Sequence, residues 1–244
     1  MDSDWPIFVL TLEGDDLRRQ ALIDALDAAN LAHRLFFGVD GRNGLAETYQ
    51  PLIDRAAATR RMGRAMTDGE FACALSHRLI YETILSEGLE GAVILEDDAI
   101  PGPDFPAFLA AGCHRCARLA LLDYRFGRAL PWQRQRRAQW DFYRAAQRPT
   151  LASAYSVSRL SAADLLAAST PVSYVADWPT DLHQLGAELV VPRPVEHRPP
   201  GAGPSHLEAQ RSVADHQTKN PRRHLNRAYW KNFLRRKLAR KVGR

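Results

Sequence analysis

Short apolar runs alternate with amphipathic stretches through most of the chain. The run at 6–12 is typical of a buried strand, and the run at 35–39 predicts a second strand. Between them, Leu22, Leu26 and Ala29 recur at helical spacing, which predicts a helix ending near residue 30. A strand, a helix and a second strand in this order form a βαβ unit, which favours a parallel sheet with right-handed crossovers.

A second helix is predicted to begin after Thr67. Thr67 is a good N-cap residue, and Glu70 three residues later completes a capping box. This helix, residues 71–86, leads into the apolar run 91–95. Further strands at 119–123 and 152–158 and a helix at 161–168 give the alternation of an α/β domain.

Three segments depart from this alternation. Residues 44–66 are predicted to be irregular, and the proline-rich segment 192–204 to be an extended connection. Residues 124–150 contain seven arginines together with Trp132 and Trp140. This interruption predicts either a lid that binds an acceptor or a solvated surface insertion.

Three adjacent carboxylates, Glu96, Asp97 and Asp98, follow the apolar run 91–95. In open α/β sheets, ligands bind at the carboxyl ends of strands. Carboxylate oxygens suit hard cations such as Mg²⁺ or Mn²⁺. In an extended stretch Glu96 and Asp98 face the same side. The residues alone leave two interpretations open, a metal site and a solvated acidic turn.

Charge is divided unevenly along the chain. The net charge is +5, yet residues 217–244 contain eleven Lys or Arg and no Asp or Glu, so residues 1–216 carry a net −6. We therefore divide the chain into a domain, 1–216, and a basic amphipathic tail, 217–244. Apolar residues recur at helical steps in the tail, which favours an anionic membrane surface over nucleic acid as its partner.

The sequence predicts a cytoplasmic protein associated peripherally with the inner face of the cytoplasmic membrane. No apolar run approaches the length of a membrane span, and the N-terminal residues are acidic, unlike a signal peptide. The three cysteines cannot close a disulfide framework, which agrees with a reducing compartment.

Six motifs give the chain a resemblance to glycosyltransferase family 25, the lipooligosaccharide-type galactosyltransferases. The pair formed by residues 67–77 and 93–99 is the most specific part. In the family's order the motifs are IFVLTLEGDDLRR (7–19), GVDGR (38–42), TDGEFACALSH (67–77), VILEDDA (93–99), AYSVS (154–158) and PVSYVADWP (171–179). The resemblance implies a GT-A-like single domain with a mostly parallel central sheet flanked by helices, here followed by the basic helical tail.

The resemblance also implies a nucleotide-sugar donor, for which we expect a UDP-sugar, and Mn²⁺ or Mg²⁺. The acidic triplet would then hold the ion that neutralises the leaving diphosphate. The metal candidates are Glu96, Asp98 and His197. The candidates for the nucleotide are Thr11, Glu13, Arg18, Asp40, Glu70 and Asp97. Three of these residues have other possible roles. Asp40 could form a turn, Arg18 could be a solvent-exposed helix residue, and Glu70 could serve only as the capping-box partner.

An inverting transferase, which the resemblance implies, needs a base for the acceptor hydroxyl. Asp177 matches the family's late acidic position, and Asp181 is the nearby alternative. His77 belongs to the family motif, with a buried structural histidine as the alternative. Trp178 could stack on a sugar face, although Asp-Trp-Pro is also a competent turn.

We therefore expect transfer of a hexose, galactose first, from a UDP-sugar to a lipooligosaccharide or related glycan. Thr11 stands where the family commonly has Asn, and this departure leaves the donor sugar open. The alternatives are a metal-dependent phosphohydrolase built on the acidic triplet and a catalytically degenerate transferase that acts as a binding protein.

Overall fold

The computed structural model describes residues 5–198 and 227–243. Its strands are β1 (Ile7–Thr11), β2 (His33–Phe37), β3 (Gly91–Glu96), β4 (Ala99–Pro101), β5 (Leu119–Leu121), β6 (Arg128–Arg137), β7 (Trp140–Ala145), β8 (Ala154–Ser158), β9 (Glu188–Val191), β10 (Val195–His197) and β11 (Arg240–Lys241). Its α-helices are α1 (Asp16–Ala28), α2 (Arg55–Met62), α3 (Asp68–Ser86), α4 (Phe105–Ala110), α5 (Arg159–Ala168), α6 (Leu182–Leu185) and α7 (Arg227–Leu238).

Nine of these strands form one sheet in the order β11-β6-β7-β9-β5-β8-β3-β1-β2. The α/β prediction is confirmed, and β2, β1 and β3 are parallel as the βαβ pattern predicted. The sheet as a whole is mixed, because β8 runs antiparallel between β3 and β5, and β7 and β11 also run against the majority direction. Parallel pairing continues only between β5 and β9 in the remainder of the described sheet.

The central strand β3 is buried on both faces of the sheet. Side chains alternate along β3, so Ile94 packs into one cluster with Ile80 and Ile84 of α3. Leu95 packs into the opposite cluster with residues of α1, including Leu22. A strand covered on both faces must be apolar throughout, which explains the run at 91–95.

The parallel strands bring their carboxyl ends to one edge of the sheet. Thr11 ends β1 and Glu96 ends β3, and the turn 38–42 follows β2 at the same edge. The N-terminal part of α3 closes this edge, since the Ser76 hydroxyl accepts a hydrogen bond from the Val39 amide at 2.8 Å. The crossover topology therefore assembles one site from segments far apart in sequence.

Two segments differ from their predicted structure. Residues 44–66, predicted to be irregular, contain a 3₁₀ helix, Glu47–Leu52, and α2. The segment 124–150 is largely the β6–β7 hairpin rather than a lid or a loose insertion. Trp140 and Phe142 are fully buried and pack against Phe108 of α4, whereas Trp132 is exposed.

The described part of the tail packs on the domain. β11 pairs antiparallel with β6, and Arg235 of α7 forms an ion pair with Asp181 at 2.9 Å. Residues 217–226 lie outside the described residues, and the boundary at 216 stays a prediction. Among the described helices, none combines the length and the apolar character that crossing a membrane requires.

Gly91→Ala should destabilise the protein by about 1–3 kcal/mol, because a methyl group overpacks the start of β3. A Cβ at Gly91 would lie 2.5 Å from the Val157 carbonyl oxygen and 2.4 Å from the Trp5 ring. Urea unfolding measures the change. A free energy of unfolding equal to that of the wild type would contradict this account, because it would mean that β3 and β8 can move apart without loss of stability.

Candidate active site

A cleft of about 750 Å³, open to solvent, lies at the carboxyl ends of β1 and β3. We call it the donor cleft. It is bordered by the end of β1, the first turn of α1, the turn after β2, and α3. Its lining residues are Leu10, Thr11, Leu12, Asp15, Arg18, Val39, Gly41, Arg42, Gly69, Ala72, Cys73, Ser76, Glu96 and Asp97.

Arg18, which lines the donor cleft, binds two carboxylates of the acidic triplet. Its Nε donates to Asp97 Oδ1 at 2.5 Å, and its Nη2 donates to Asp98 Oδ2 at 3.0 Å. The Thr11 hydroxyl donates to the other Asp97 oxygen at 3.3 Å. Arg18 therefore lines the donor cleft, and its predicted role in binding the nucleotide stays a prediction.

The carboxylates of the triplet disfavour one another's charge. Burial, followed by repulsion from Glu96, raises the pKa of Asp98 to about 6, although Arg18 opposes the shift. Burial also raises the pKa of Asp97. A bound cation would relieve this repulsion, because one guanidinium group faces two carboxylates, one buried and one half-buried.

Asp98 Oδ1 is buried and has no hydrogen-bond partner among the described residues. Such an oxygen costs free energy unless it gains a donor or a cation. Because carboxylate oxygens are the ligands that Mg²⁺ and Mn²⁺ prefer, the residues present fit a hard divalent ion at Asp98.

A second group with metal-ligand chemistry lies beside the triplet. The ligand atoms of Cys73, His77 and Glu96 lie within 4.8 Å of one another. Both nitrogens of His77 are occupied, with Nε2 3.0 Å from Glu96 Oε1 and Nδ1 2.8 Å from the Tyr155 hydroxyl. An ion bound there would have to break one of these contacts. His77 therefore links Tyr155 to Glu96, and its predicted catalytic role stays a prediction.

The turn after β2 closes the outer side of the donor cleft. Asp40 is held by Arg42, which also bonds Asp15 at 2.8 Å and thereby joins this turn to the start of α1. The side chain of Glu13 is exposed, and its carbonyl accepts from Arg42. Arg42, which the sequence reasoning missed, thus lines the same cleft as Arg18.

Glu70 is 1% exposed and completes the capping box predicted with Thr67. Its carboxylate also forms a two-point ion pair with Arg64, at 2.6 and 2.8 Å. Glu70 does not line the donor cleft, whereas its neighbour Gly69 does. These contacts supply the structural role that was the alternative for Glu70.

His197 lies near the triplet through the backbone. β10 pairs with β4 so that His197 faces Ala99, and the Arg198 amide donates to the Asp98 carbonyl at 3.2 Å. The His197 ring instead contacts Asp123 at 2.8 Å and Arg125 at 2.6 Å. The structure does not bring its ring into a common ligand group with Glu96 and Asp98, so a metal role for His197 stays a prediction.

Asp123 is a site-adjacent residue that the sequence reasoning missed. It is fully buried and accepts hydrogen bonds from the Ser153 hydroxyl at 2.7 Å and from Arg193 at 3.2 Å. The Ser153 carbonyl in turn accepts from the Glu96 amide at 2.7 Å. Its sequence signal was the same as that of the triplet, a carboxylate directly after a buried strand.

With this geometry in place, the sequence comparison decides the family. The family profile described as glycosyltransferase family 25 (LPS biosynthesis protein) matches residues 4–180. The chain belongs to glycosyltransferase family 25. The matched range contains the donor cleft, the acidic triplet and α3, whereas Asp181, His197 and the tail lie beyond it.

Family 25 relatives include proteins with and without an activity in their names. The chain is 32% identical over 95 residues to the probable inactive glycosyltransferase 25 family member 3 of Rattus norvegicus, covering 38% of this chain and 17% of the relative. It is 28% identical over 95 residues to procollagen galactosyltransferase 1 of Danio rerio, covering 38% of this chain and 16% of the relative. The matches thus span about one sixth of the relatives' length.

The last of the six motifs, residues 171–179, contributes one side chain to the core and another to a second cleft. Trp178 is fully buried and packs edge-on against Tyr155, with ring centroids 5.2 Å apart, so the idea that it stacks on a sugar is wrong. Asp177 beside it lines a second, open cleft. Asp181 caps α6, where it accepts from the His183 amide at 3.0 Å, and it also binds Arg235.

Asp98→Asn should stabilise the metal-free protein near neutral pH. Asp98 has a raised pKa in the folded state, about 6 against 3.8 for an unperturbed carboxyl. The stability linked to its proton is therefore lost as the pH rises through about 6, and Asn avoids this loss. We expect a gain on the order of 1 kcal/mol at about pH 8, which disappears below about pH 4.

Urea unfolding in the presence of a chelator at both pH values measures this difference. Asp24→Asn, at an exposed helix position, is the matched control and should leave the pH dependence unchanged. An Asp98→Asn protein less stable than the wild type at both pH values would contradict the electrostatic account.

Proposed function

We propose that this protein is a metal-dependent, inverting glycosyltransferase with a GT-A-type fold. It would transfer a hexose, galactose first, from a UDP-sugar to a lipooligosaccharide or related glycan. One observation carries the proposal: Arg18, Arg42, Glu96 and Asp97 line a single cleft at the carboxyl ends of parallel strands, and Arg18 also binds the adjoining Asp98. Nucleotides bind at this edge in open α/β sheets.

The donor diphosphate would lie between Arg18 and Arg42. Guanidinium groups form two-point hydrogen bonds with phosphate oxygens, and these two line the same cleft. A divalent cation at Asp98 would stabilise the negative charge that develops on the leaving diphosphate. His77 would hold Glu96 in place, because its Nε2 contacts the Glu96 carboxylate at 3.0 Å.

The acceptor hydroxyl would be deprotonated by Asp177. The oxygen of the acceptor hydroxyl would form a bond to the anomeric carbon while the bond from that carbon to the diphosphate breaks. The hydroxyl proton would pass to the Asp177 carboxylate. Asp177 faces an open cleft, whereas His77 is 2% exposed with both nitrogens engaged. Asp181 is engaged as a helix cap and ion-pair partner.

The sugar and the acceptor are proposed from the family. Its description refers to LPS biosynthesis, and one similar protein is named as a galactosyltransferase. The family also favours a transferase over a phosphohydrolase built on the same carboxylates.

A catalytically degenerate binding protein is the second candidate. It is favoured by the relatives that are named inactive and by Arg18, which bonds both Asp97 and Asp98 where a cation would bind. In a working transferase, Arg18 must share these carboxylates with the ion or turn toward the phosphates. Direct measurement of metal and nucleotide binding separates the two candidates.

Asp98→Asn should abolish Mn²⁺-dependent binding of UDP and turnover of UDP-galactose while the protein stays folded, because it removes the charged ligand of the ion. Calorimetry of UDP with and without Mn²⁺ measures binding, and UDP release measures turnover. Asp24→Asn removes an exposed carboxylate on the same helix as Arg18 and should behave like the wild type.

Two results would count against the transferase. Wild-type protein that binds UDP equally with and without Mn²⁺ would remove the metal from the proposal. Mn²⁺-dependent UDP binding with no turnover across a panel of UDP-sugars and glycan acceptors would favour the degenerate protein.

We also propose that α7 places the enzyme on the inner face of the cytoplasmic membrane. Trp230, Leu234 and Leu238 recur at four-residue spacing and are at least half exposed, so they form one apolar stripe. Basic residues of α7 and β11 flank the stripe, and anionic lipids attract such residues by about 1 kcal/mol each near the surface. The inward-facing Arg235 ties this helix to the domain through Asp181.

Replacing Leu234 and Leu238 by Ser should weaken binding to anionic vesicles by about tenfold or more, because their apolar surface no longer enters the lipid. Vesicle sedimentation at low and high salt measures the effect. Leu160→Ser, at an equally exposed position on α5, is the control. Unchanged vesicle binding in the double variant would contradict the membrane role of α7.

A further inference from the structure

A second cleft, of about 1240 Å³ and open to solvent, lies across the first turn of α3 from the donor cleft. We call it the acceptor cleft. Segments from α2, the end of the β6–β7 hairpin, the turn before α6 and the tail helix line it. Its lining residues are Met62, Arg64, Glu70, Gln147, Arg148, Pro149, Thr150, Tyr174, Val175, Asp177 and Arg236.

The cations of the acceptor cleft differ in their partners. Arg64 is paired with the buried Glu70 through two short contacts. Arg148 and Arg236, by contrast, form no ion pair with a carboxylate within residues 5–198 and 227–243. Two positive side chains therefore line one cleft with their charge left for a ligand.

Arg148 is also held in position. Its guanidinium group lies 4.6 Å from the centroid of the Tyr174 ring, and Arg61 lies 5.1 Å from the same ring. Arg61 is fixed in turn by the Ser173 hydroxyl and the Pro179 carbonyl, each at 2.6 Å. Stacking orders the planar group of Arg148 while leaving its N–H donors available, which is the arrangement that binds oxyanions well.

Arg236 reaches the acceptor cleft from the tail. It is two residues beyond Leu234, so helical geometry turns it roughly 200° away from the apolar stripe. The Arg235–Asp181 ion pair and the β11–β6 pairing fix this side of α7 against the domain. The tail therefore completes the acceptor cleft with one face while its apolar stripe faces outward.

The acceptor cleft adjoins the donor cleft. Gly69 lines the donor cleft and Glu70 lines the acceptor cleft, so the two openings flank one turn of α3. Asp177, the proposed base, lies in the acceptor cleft. A group bound by the two arginines would thus be held on the acceptor side of the reaction.

We propose that Arg148 and Arg236 bind an anionic group, a phosphate or carboxylate, carried by the acceptor glycan. This inference rests on the proposed transferase function, and it names the acceptor class as charged rather than neutral. Arg148 supplies the ordered hydrogen-bond donors and Arg236 the second charge. A charge-assisted contact of this kind changes affinity by roughly ten- to a hundredfold.

The experiment measures binding of glucose 6-phosphate, glucuronate and glucose by ligand-observed NMR to the wild type, Arg148→Gln and Arg236→Gln. The wild type should prefer both anionic sugars over glucose by about tenfold or more. Each variant should lose about tenfold in affinity for the anionic sugars alone, and this loss should shrink at high salt. Arg60→Gln, at an exposed position of α2 outside the cleft, is the control for loss of one charge.

Two parallel measurements separate the possible failures. Mn²⁺-dependent UDP binding should be the same in all four proteins. Its absence from the wild type would contradict the proposed transferase function, whereas it would leave the proposed anion binding in the acceptor cleft untouched. Binding to anionic vesicles should survive Arg148→Gln, and its loss would reassign the cation to a lipid headgroup and overturn the proposal. Equal affinity of the wild type for glucose and glucose 6-phosphate would overturn it as well.

Discussion

The donor cleft depends on holding consecutive carboxylates at the end of a buried strand. Asp97 is buried and Asp98 is half-buried, and Arg18 bonds both of them. Arg18 neutralises the triplet only in part, so burial and the repulsion from Glu96 still raise the pKa of Asp98 to about 6. This residual repulsion is the physical reason to expect a divalent cation.

The helix that begins at Thr67 converts local sequence into site geometry. The Thr67–Glu70 capping box fixes the first turn of α3, and His77 lies two turns further along the same side. From there the His77 ring reaches Glu96, so the two most specific family motifs meet through one hydrogen bond at 3.0 Å. Ser76 adds a bond to the turn after β2. Helix start, strand end and turn are thereby held in register.

The acceptor side is built from less regular parts. The β6–β7 hairpin supplies Arg148, the segment before α6 supplies Asp177, and the tail supplies Arg236. The ion pair between Arg235 and Asp181 links that tail to the domain. On this view the tail has two faces with separate tasks, one toward the glycan and one toward the lipid surface. The geometry connects the proposed membrane position with the proposed acceptor.

By itself the sequence determined the elements whose causes are local. Apolar runs bounded by turns identified β1, β3 and β8, the capping box identified the start of α3, and the motifs identified the family and the acidic triplet. Tertiary structure decided what depends on contacts across the chain. Alternating burial against Phe108 made the arginine-rich segment a hairpin, and packing on Tyr155 placed Trp178 in the core. The pairing of Arg18 with the triplet, of His77 with Glu96 and of Asp123 with His197 joins residues more than a dozen positions apart, and no local pattern encodes such distances.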